Sequence, residues 1–358
     1  MRRDLVEDRK LIDEPTFNLA IALAQIMPGP LAAQTAMAIG YFQHGILGAT
    51  LVGLAFILPS FLMVLGLSAL YVAYGGMPWM QSVFYGIGAM IIAIIAVAAY
   101  RLARGTNKRD PLLWIVFGAM LAATVWTGTE LATLFVLAGL AVLFVRAWPG
   151  GRNAAALAGA GAAAVVLIVL LERVLSTSAV SGDQPVLVQI LLFFTKAGSF
   201  VFGSGLAIVP FLQQGVVHDH AWLTQAQFLD AVAVALITPG PVVITVAFIG
   251  YLVAGVAGAI LAAVGIFLPV YFFTIVPAPW FRRHKDHPQL RAFAAGATAA
   301  AGGAIAGAVV VLGREAISDL TTAVIALVGL VLLVRFRMPE PVLVIAAGLA
   351  GLALRHYT

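Results

Sequence analysis

Two tripeptides, Pro28-Gly29-Pro30 and Pro239-Gly240-Pro241, sit inside apolar sequence and hold the residues best placed to do chemistry in this chain. Proline removes a backbone donor, crowds the preceding turn and biases the residue before it away from helix, while glycine accepts the conformation that remains. Each tripeptide therefore ends one helix and starts another. The second helix begins at Leu31 or Val242 with its first amides unpaired, carrying roughly half a positive charge from the helix dipole. Such amides in an apolar medium bind an anion. Gly203-Ser204-Gly205 interrupts the apolar stretch 193–214 and offers further amides and a hydroxyl. Lys196 lies about a dozen residues into the apolar segment that starts near Pro185, where a charge costs on the order of 3 kcal/mol unless it meets water, a partner or an anion. These residues form the expected anion site.

The elements that position them are membrane helices. Of 358 residues 62% are hydrophobic and 10% charged, and the mean hydropathy is +1.05. Roughly 20 apolar residues cross a bilayer as a helix, and windows of that kind fill most of 15–356. A transmembrane barrel would alternate apolar and polar residues, whereas Ile91 to Ala99 and Ala154 to Leu171 are apolar on every side. The fold class is an all-α polytopic membrane protein whose main partner is the lipid bilayer. The charged start leads into an apolar segment with no small-residue cleavage pattern, so no removable signal is read. With no cysteine, disulfides, thiolate metal sites and cysteine nucleophiles are excluded. The net charge of +5 comes from short loops, which fits topology signals and not nucleic-acid binding. No motif calls for a metal or cofactor.

The chain is a duplication. After Pro28-Gly29-Pro30 come Ile39-Gly40-Tyr41, Gly45, Gly48-Ala49 and Leu58-Pro59; after Pro239-Gly240-Pro241 come Ile249-Gly250-Tyr251, Gly255, Gly258-Ala259 and Leu268-Pro269. The spacings differ by one single-residue slip. The match continues through Pro78 with Pro288, Gly86 with Gly296, Arg104 with Arg314 and Glu130 with Glu340. We divide the chain into a first repeat over 1–149, a joining helix and outer loop over 150–185, and a second repeat over 186–358.

Charge then orients the copies. The loop after Pro59 is uncharged, whereas its counterpart carries Arg282, Arg283, Lys285 and Arg291. One loop later the bias swaps to Arg101, Arg104, Lys108 and Arg109 in the first copy, against Arg314 in the second. Under the positive-inside rule, equivalent loops lie on opposite sides. We expect two inverted-topology repeats, with each Pro-Gly-Pro at the tip of a hairpin of half-helices. The N-terminus, 101–110, 146–152, 281–291 and 335–339 are then cytoplasmic and 172–185 is outside. Broken helices in inverted repeats meet at the substrate in secondary transporters.

Other polar residues have plainer readings. Arg101 and Arg104 end a span and mark topology. Asp230 sits early in a helix, where it can cap the N-terminus, pair with Lys196 or couple to protons. The six histidines lie in or near loops, which argues against a buried histidine proton relay. A serine-nucleophile turn at Ser204 would need a base, and Lys196, eight residues away, is about two turns off on a helix. The sequence is therefore not read as an enzyme. No Gly-Lys-Ser or Gly-Lys-Thr is present, so there is no P-loop.

The duplicated Pro-Gly-Pro followed by Ile-Gly-Tyr, the stretch Phe202-Gly203-Ser204-Gly205, and WLTQAQFLDAVAVALITPGP at 222–241 together resemble the chromate ion transporter family, in its long two-domain members. The resemblance covers essentially the whole chain. It implies a multi-pass protein of the inner (plasma) membrane that exports chromate, with sulfate as structural competitor, and that confers chromate resistance. A homo-oligomer is compatible with it. Ser204 stands where the family is expected to have glycine. Aligning Phe17 with Phe228 places Met1 opposite Leu212, so the first copy has no counterpart of the Phe-Gly-Ser-Gly hairpin. The expectation is a longer natural protein or a shortened member.

Overall fold

The computed structural model describes residues 3–8, 10–74, 78–127, 132–147, 185–199, 205–284 and 287–355. Gly203, Ser204 and nearly all of the joining segment 150–185 lie outside the described residues. Among the described residues there are thirteen α-helices. In chain order they are α1 (Glu14–Ile26), α2 (Leu31–Tyr74), α3 (Pro78–Asn107), α4 (Pro111–Thr127), α5 (Ala132–Arg146), α6 (Val186–Ser199) and α7 (Val209–Gln213). After them come α8 (Gln225–Ile237), α9 (Thr245–Ile275), α10 (Ala278–His284), α11 (Pro288–Ala316), α12 (Leu320–Val331) and α13 (Glu340–Arg355). Among the described residues, four stretches are long and apolar enough to cross a membrane: Leu31–Tyr74, Trp79–Asn107, Val242–Arg283 and Pro288–Arg314. This is an all-α polytopic membrane protein.

Two of the four are not single rods. Backbone angles break at His44 and Gly45 in α2, and at Ala254 and Gly255 in α9, with φ of 64° and 60° at the two glycines. Residues eight apart on a straight helix are about 12 Å apart along its axis. Here a Cβ on Gly40 would strike the backbone of Gly48, and one on Gly250 would strike that of Gly258. A Cβ on Gly53 would meet the Met37 side chain at 3.1 Å. The chain therefore folds back at both places, and the paired glycines let the two arms touch. The repeated Gly45 and Gly255, visible in the sequence only as matched positions, are these U-turns.

The Pro-Gly-Pro segments make a second kind of turn. Gln43 Nε2 donates to the Leu11 carbonyl at 3.0 Å, and Ile12 and Phe17 share a cluster with Tyr41 and Phe42. So α1 and residues 31–43 run antiparallel, with Pro28-Gly29-Pro30 at the tip. Each arm has 13 residues and is roughly 20 Å long, too short to cross a bilayer of about 30 Å. The tip therefore lies inside the membrane's depth.

The centre of the molecule is α3 against α11. Gly302 lies near Leu102 and Gly313 near Ile92, so these equivalent helices of the two copies are antiparallel. Each also packs into the other copy's C-terminal pair. Gly86 and Gly351 meet between α3 and α13, while Gly296 and Gly303 of α11 meet Val142 of α5 and Met120 of α4. At one end of the bundle Arg101 faces Glu340 at 3.9 Å, Arg146 pairs with Asp110, and Gln289 reaches the Ala147 carbonyl at 3.5 Å. At the other end Tyr85 donates to Asp319.

Candidate functional site

The two tips have the same backbone. Gly29 and Gly240 sit at φ 144° and 141°, a region that L side chains rarely adopt. At the first tip Gln34 Nε2 donates to the Pro28 carbonyl at 2.6 Å. At the second, Ser60 Oγ donates to the Pro239 carbonyl at 2.7 Å, from the long arm of the other repeat. A Cβ on Gly240 would fall on that hydroxyl, so close packing and backbone angle both demand glycine there.

Beyond each tip a helix starts with free donors. Gln34 N bonds back to the Pro30 carbonyl, which leaves the amides of 31–33 as the first-turn donors. In the second copy Ile244 N bonds to the Pro241 carbonyl, and Pro241 gives no side-chain cap. Val242 and Val243 are thus the corresponding donors.

One cavity of about 1380 Å³ reaches both starts. Its wall includes Pro30, Leu31, Gly205, Gly240, Pro241 and Val242, so six of the twelve expected site residues converge on one space. Gly205 belongs to the second tip's surroundings: its Cα faces Val243 and Val242, and a Cβ there would sit 3.4 Å from the nearer side chain. Pro28, Gly29 and Pro239 form the turns behind the wall. Gly203 and Ser204 lie outside the described residues.

Lys196 does not line the cavity. Its Nζ lies 6.0 Å above the Phe211 ring, and its charge reaches His220, whose imidazole is held below its usual range first by burial, with Asp219 opposing and Lys196 adding. The reading that pairs Lys196 with Asp230 is corrected as well, because Asp230 accepts from Tyr71 at 2.7 Å. Nor does Asp230 cap its helix. Thr224 is the N-cap of α8, closed into a capping box with Gln227, and Asp230 stands nearly two turns further in. Arg101 and Arg104 also stay off the wall, Arg101 toward Glu340 and Arg104 on the Tyr100 hydroxyl at 2.8 Å.

The rest of the wall was not anticipated from sequence. On α1, Pro15, Asn18, Ala22 and Gln25 recur at helical spacing and turn two amides toward the space. The end of α3 adds Thr106, Asn107 and Lys108, and Arg146, Arg291 and Thr298 come from α5 and α11. Asn107 is fully buried, and neither its Nδ2 nor its Oδ1 has a partner among the described residues. A buried amide without a hydrogen bond costs roughly 1–3 kcal/mol, so a ligand that satisfies it gains that much. The only hint in the sequence was the isolated polar pair Asn18 and Gln25 in an apolar helix.

Charge is concentrated at one end of the cavity. Lys108, Arg146 and Arg291 line it, with Asp110 as the acidic residue among them. Asp110 also caps the start of α4, donated to by Leu112 N at 3.1 Å. A basic mouth leading to two helix starts is chemistry suited to an anion. No group of three or more His, Asp or Glu able to hold a metal occurs among the described residues.

Comparison with known proteins shows the family. The family model described as "Chromate transporter" matches residues 1–145 and again 188–352. A chromate transport protein of Cupriavidus metallidurans is 52% identical over 98% of this chain and 86% of its own length. A probable chromate transport protein of Synechococcus elongatus is 48% identical over 98% of this chain and 88% of its own. One from Pseudomonas aeruginosa is 31% identical over 98% and 86%. No solved structure matches.

Proposed function

The chain belongs to the chromate transporter family, and from that premise we propose that it exports chromate from the cytoplasm by alternating access around the cavity between the two tips. The observation that carries this reading is the convergence of Leu31 and Val242, each the first residue of a broken helix, on one cavity with a basic mouth. A tetrahedral dianion entering past Lys108, Arg146 and Arg291 exchanges its hydration for the amides after Pro30 and Pro241, the backbone at Gly205 and the amide of Asn107. The mouth lies at the end that charge asymmetry assigns to the cytoplasm, so the conformation is inward-facing. The antiparallel pairing of α3 with α11 supports inverted repeats, whose relative rocking would carry the site from one face to the other.

The membrane potential can supply the drive. At about 2.3 kcal/mol per charge per 100 mV, a dianion leaving an inside-negative cell gains roughly 4.6 kcal/mol, worth about three decades of concentration. This drive exists across the inner membrane, which is the location that the reading implies. Sulfate has the same charge and shape, and the site offers no donor that one oxyanion would use and the other would not.

The test is chromate uptake into everted membrane vesicles from cells producing this chain. Uptake that an uncoupler abolishes and excess sulfate reduces is the expected result. Absence of uptake, with the protein present and folded in the vesicles, overturns the reading. Sulfate uptake with no chromate uptake would transfer the cargo to sulfate.

A further inference from the structure

One buried titratable pair takes no part in anion binding. Asp230 on α8 is 8% exposed and accepts the Tyr71 hydroxyl at 2.7 Å. Tyr71 belongs to the long arm of α2, so this hydrogen bond joins the second repeat to the first. Its ring is fixed edge-on against Phe84 of α3 and Phe248 of α9, at 5.4 and 5.1 Å. The pair is walled by aromatic rings.

No ion pair compensates Asp230 among the described residues. The arm 46–74 of α2 and all of α9 lack Asp, Glu, Lys and Arg, leaving Tyr71, Tyr74, Tyr251 and Tyr271 as their titratable groups. On α3, Leu229 touches the position of Gly88, which puts Arg101 about 20 Å along the helix, with Tyr100 and Arg104 beside it and Tyr85 bonded to Asp319. On α13, Glu340 and Arg355 stand at the two ends, and the turn 214–219 carries His218 and Asp219. An ionisable residue inside a membrane and away from counter-charges marks an ion or proton pathway.

Its position gives the pathway a direction. Asp230 lies nine residues before Pro239, about 13 Å from the second tip, on the side away from the basic mouth. The arm that supplies Tyr71 also supplies Ser60, which holds the Pro239 carbonyl. The second hairpin is therefore tied to the first repeat at two places, its tip and Asp230.

We propose that Asp230, closed by Tyr71, is the proton-binding site that couples oxyanion export to proton entry. This rests on the export reading above. A proton arriving from the outer face when the repeats part binds the Asp230 carboxylate. The resulting carboxyl and Tyr71 hydroxyl then close the outer side, and the proton leaves toward the cytoplasm as the cycle resets. Each turn moves one proton inward against one dianion outward; no bond other than O–H forms or breaks.

The experiment uses purified full-length chain in proteoliposomes loaded to an acidic lumen, with the potential clamped to zero by potassium and valinomycin, and chromate presented to the cytoplasmic face. Inserted orientation is fixed by selecting for protease access to that face. Wild type is expected to accumulate chromate under the pH gradient, with a ceiling of about tenfold per pH unit for one proton per dianion. Asp230→Asn is expected to lose this accumulation while retaining uptake driven by an imposed potential. Tyr71→Phe is expected to keep both and to shift the pH at which the gradient response is half-maximal. Gradient-driven accumulation by Asp230→Asn equal to wild type overturns the proposal, as does wild-type uptake that answers to potential and not to the pH gradient. Wild type that takes up chromate under neither force overturns the export reading instead. If Asp230→Asn does not fold, an unchanged pH response in Tyr71→Phe overturns the proposal.

Discussion

The two Pro-Gly-Pro tips share a backbone and differ in what surrounds them. Gly29 and Gly240 differ by 3° in φ, yet Pro28 is held by a glutamine of its own hairpin and Pro239 by a serine of the other repeat. The first hairpin turns one face, with Asn18 and Gln25, to the cavity. In the second, every residue of α8 from Phe228 to Leu236 is buried. The same turn recurs, and the side chains make the first hairpin's entering helix a wall of the cavity while they bury that of the second in the core. A hairpin with a wet face can move at little cost, whereas a buried one moves only with its partner.

The largest test of that difference is an added methyl at each tip. Gly240→Ala is expected to abolish chromate resistance and to lower the melting temperature in detergent, because it meets both a forbidden backbone angle, worth about 1–3 kcal/mol, and the Ser60 hydroxyl. Gly29→Ala meets the same backbone angle but, in place of the Ser60 hydroxyl, the movable end of Gln34, so a smaller loss is expected. Equal losses would erase the distinction.

Next comes the asymmetry of the cavity wall. Asn107 occupies the place that Ile317 holds in the second copy, by the register that matches Arg104 with Arg314. Removing its unpartnered amide in Asn107→Ala is expected to raise the KM for chromate in vesicles about tenfold, within the 1–3 kcal/mol of a buried polar contact, with little change in melting temperature. Ile317→Ala should leave KM unchanged. A KM effect from Ile317→Ala alone would move the site to the second repeat.

Smaller effects separate the two carbonyl supports. Ser60→Ala removes one hydrogen bond, worth about 1 kcal/mol, and is expected to loosen the second hairpin against the first repeat, seen as faster amide exchange at 239–245. Gln34→Ala should leave that exchange untouched and speed it at 28–33.

The smallest test concerns the hairpin entrances. Asp13 caps α1 through Thr16, and that hydrogen bonding holds its carboxyl below the usual range, whereas Thr224 caps α8 with a group that does not titrate. A depressed folded-state value means that the stabilisation is present above the unfolded value, near 3.8, and is lost as pH falls through the folded one. Acidification is thus expected to speed amide exchange at 14–18 and not at 225–229. Asp13→Asn should remove the pH dependence.

Much of this was legible in the residues because membrane helices and proline breaks are local. The apolar helices and the Pro-Gly-Pro turns follow from composition and short-range sterics. That Lys196 stands off the cavity wall was not legible for the same reason. Depth along one helix gives the cost of a charge but not the neighbour that shares it, and that neighbour, Phe211, comes from a later segment. Asn107 was passed over because a polar residue at a helix end ordinarily meets water; here it is sealed beneath other elements of the bundle.

By itself, then, the sequence determined an all-α membrane protein and pointed to two repeats with three places where helices must break, because glycine and proline act through their own backbone. Only the tertiary structure decided that Gly45 and Gly255 reverse the chain, since a glycine permits a U-turn and the opposing glycine makes it pack. It alone decided which broken ends share a cavity, that Arg146 and Arg291 guard it, and that Asp230 faces Tyr71. Each of those pairings joins residues more than a hundred positions apart or on different helices, and helix periodicity carries no information about which faces meet.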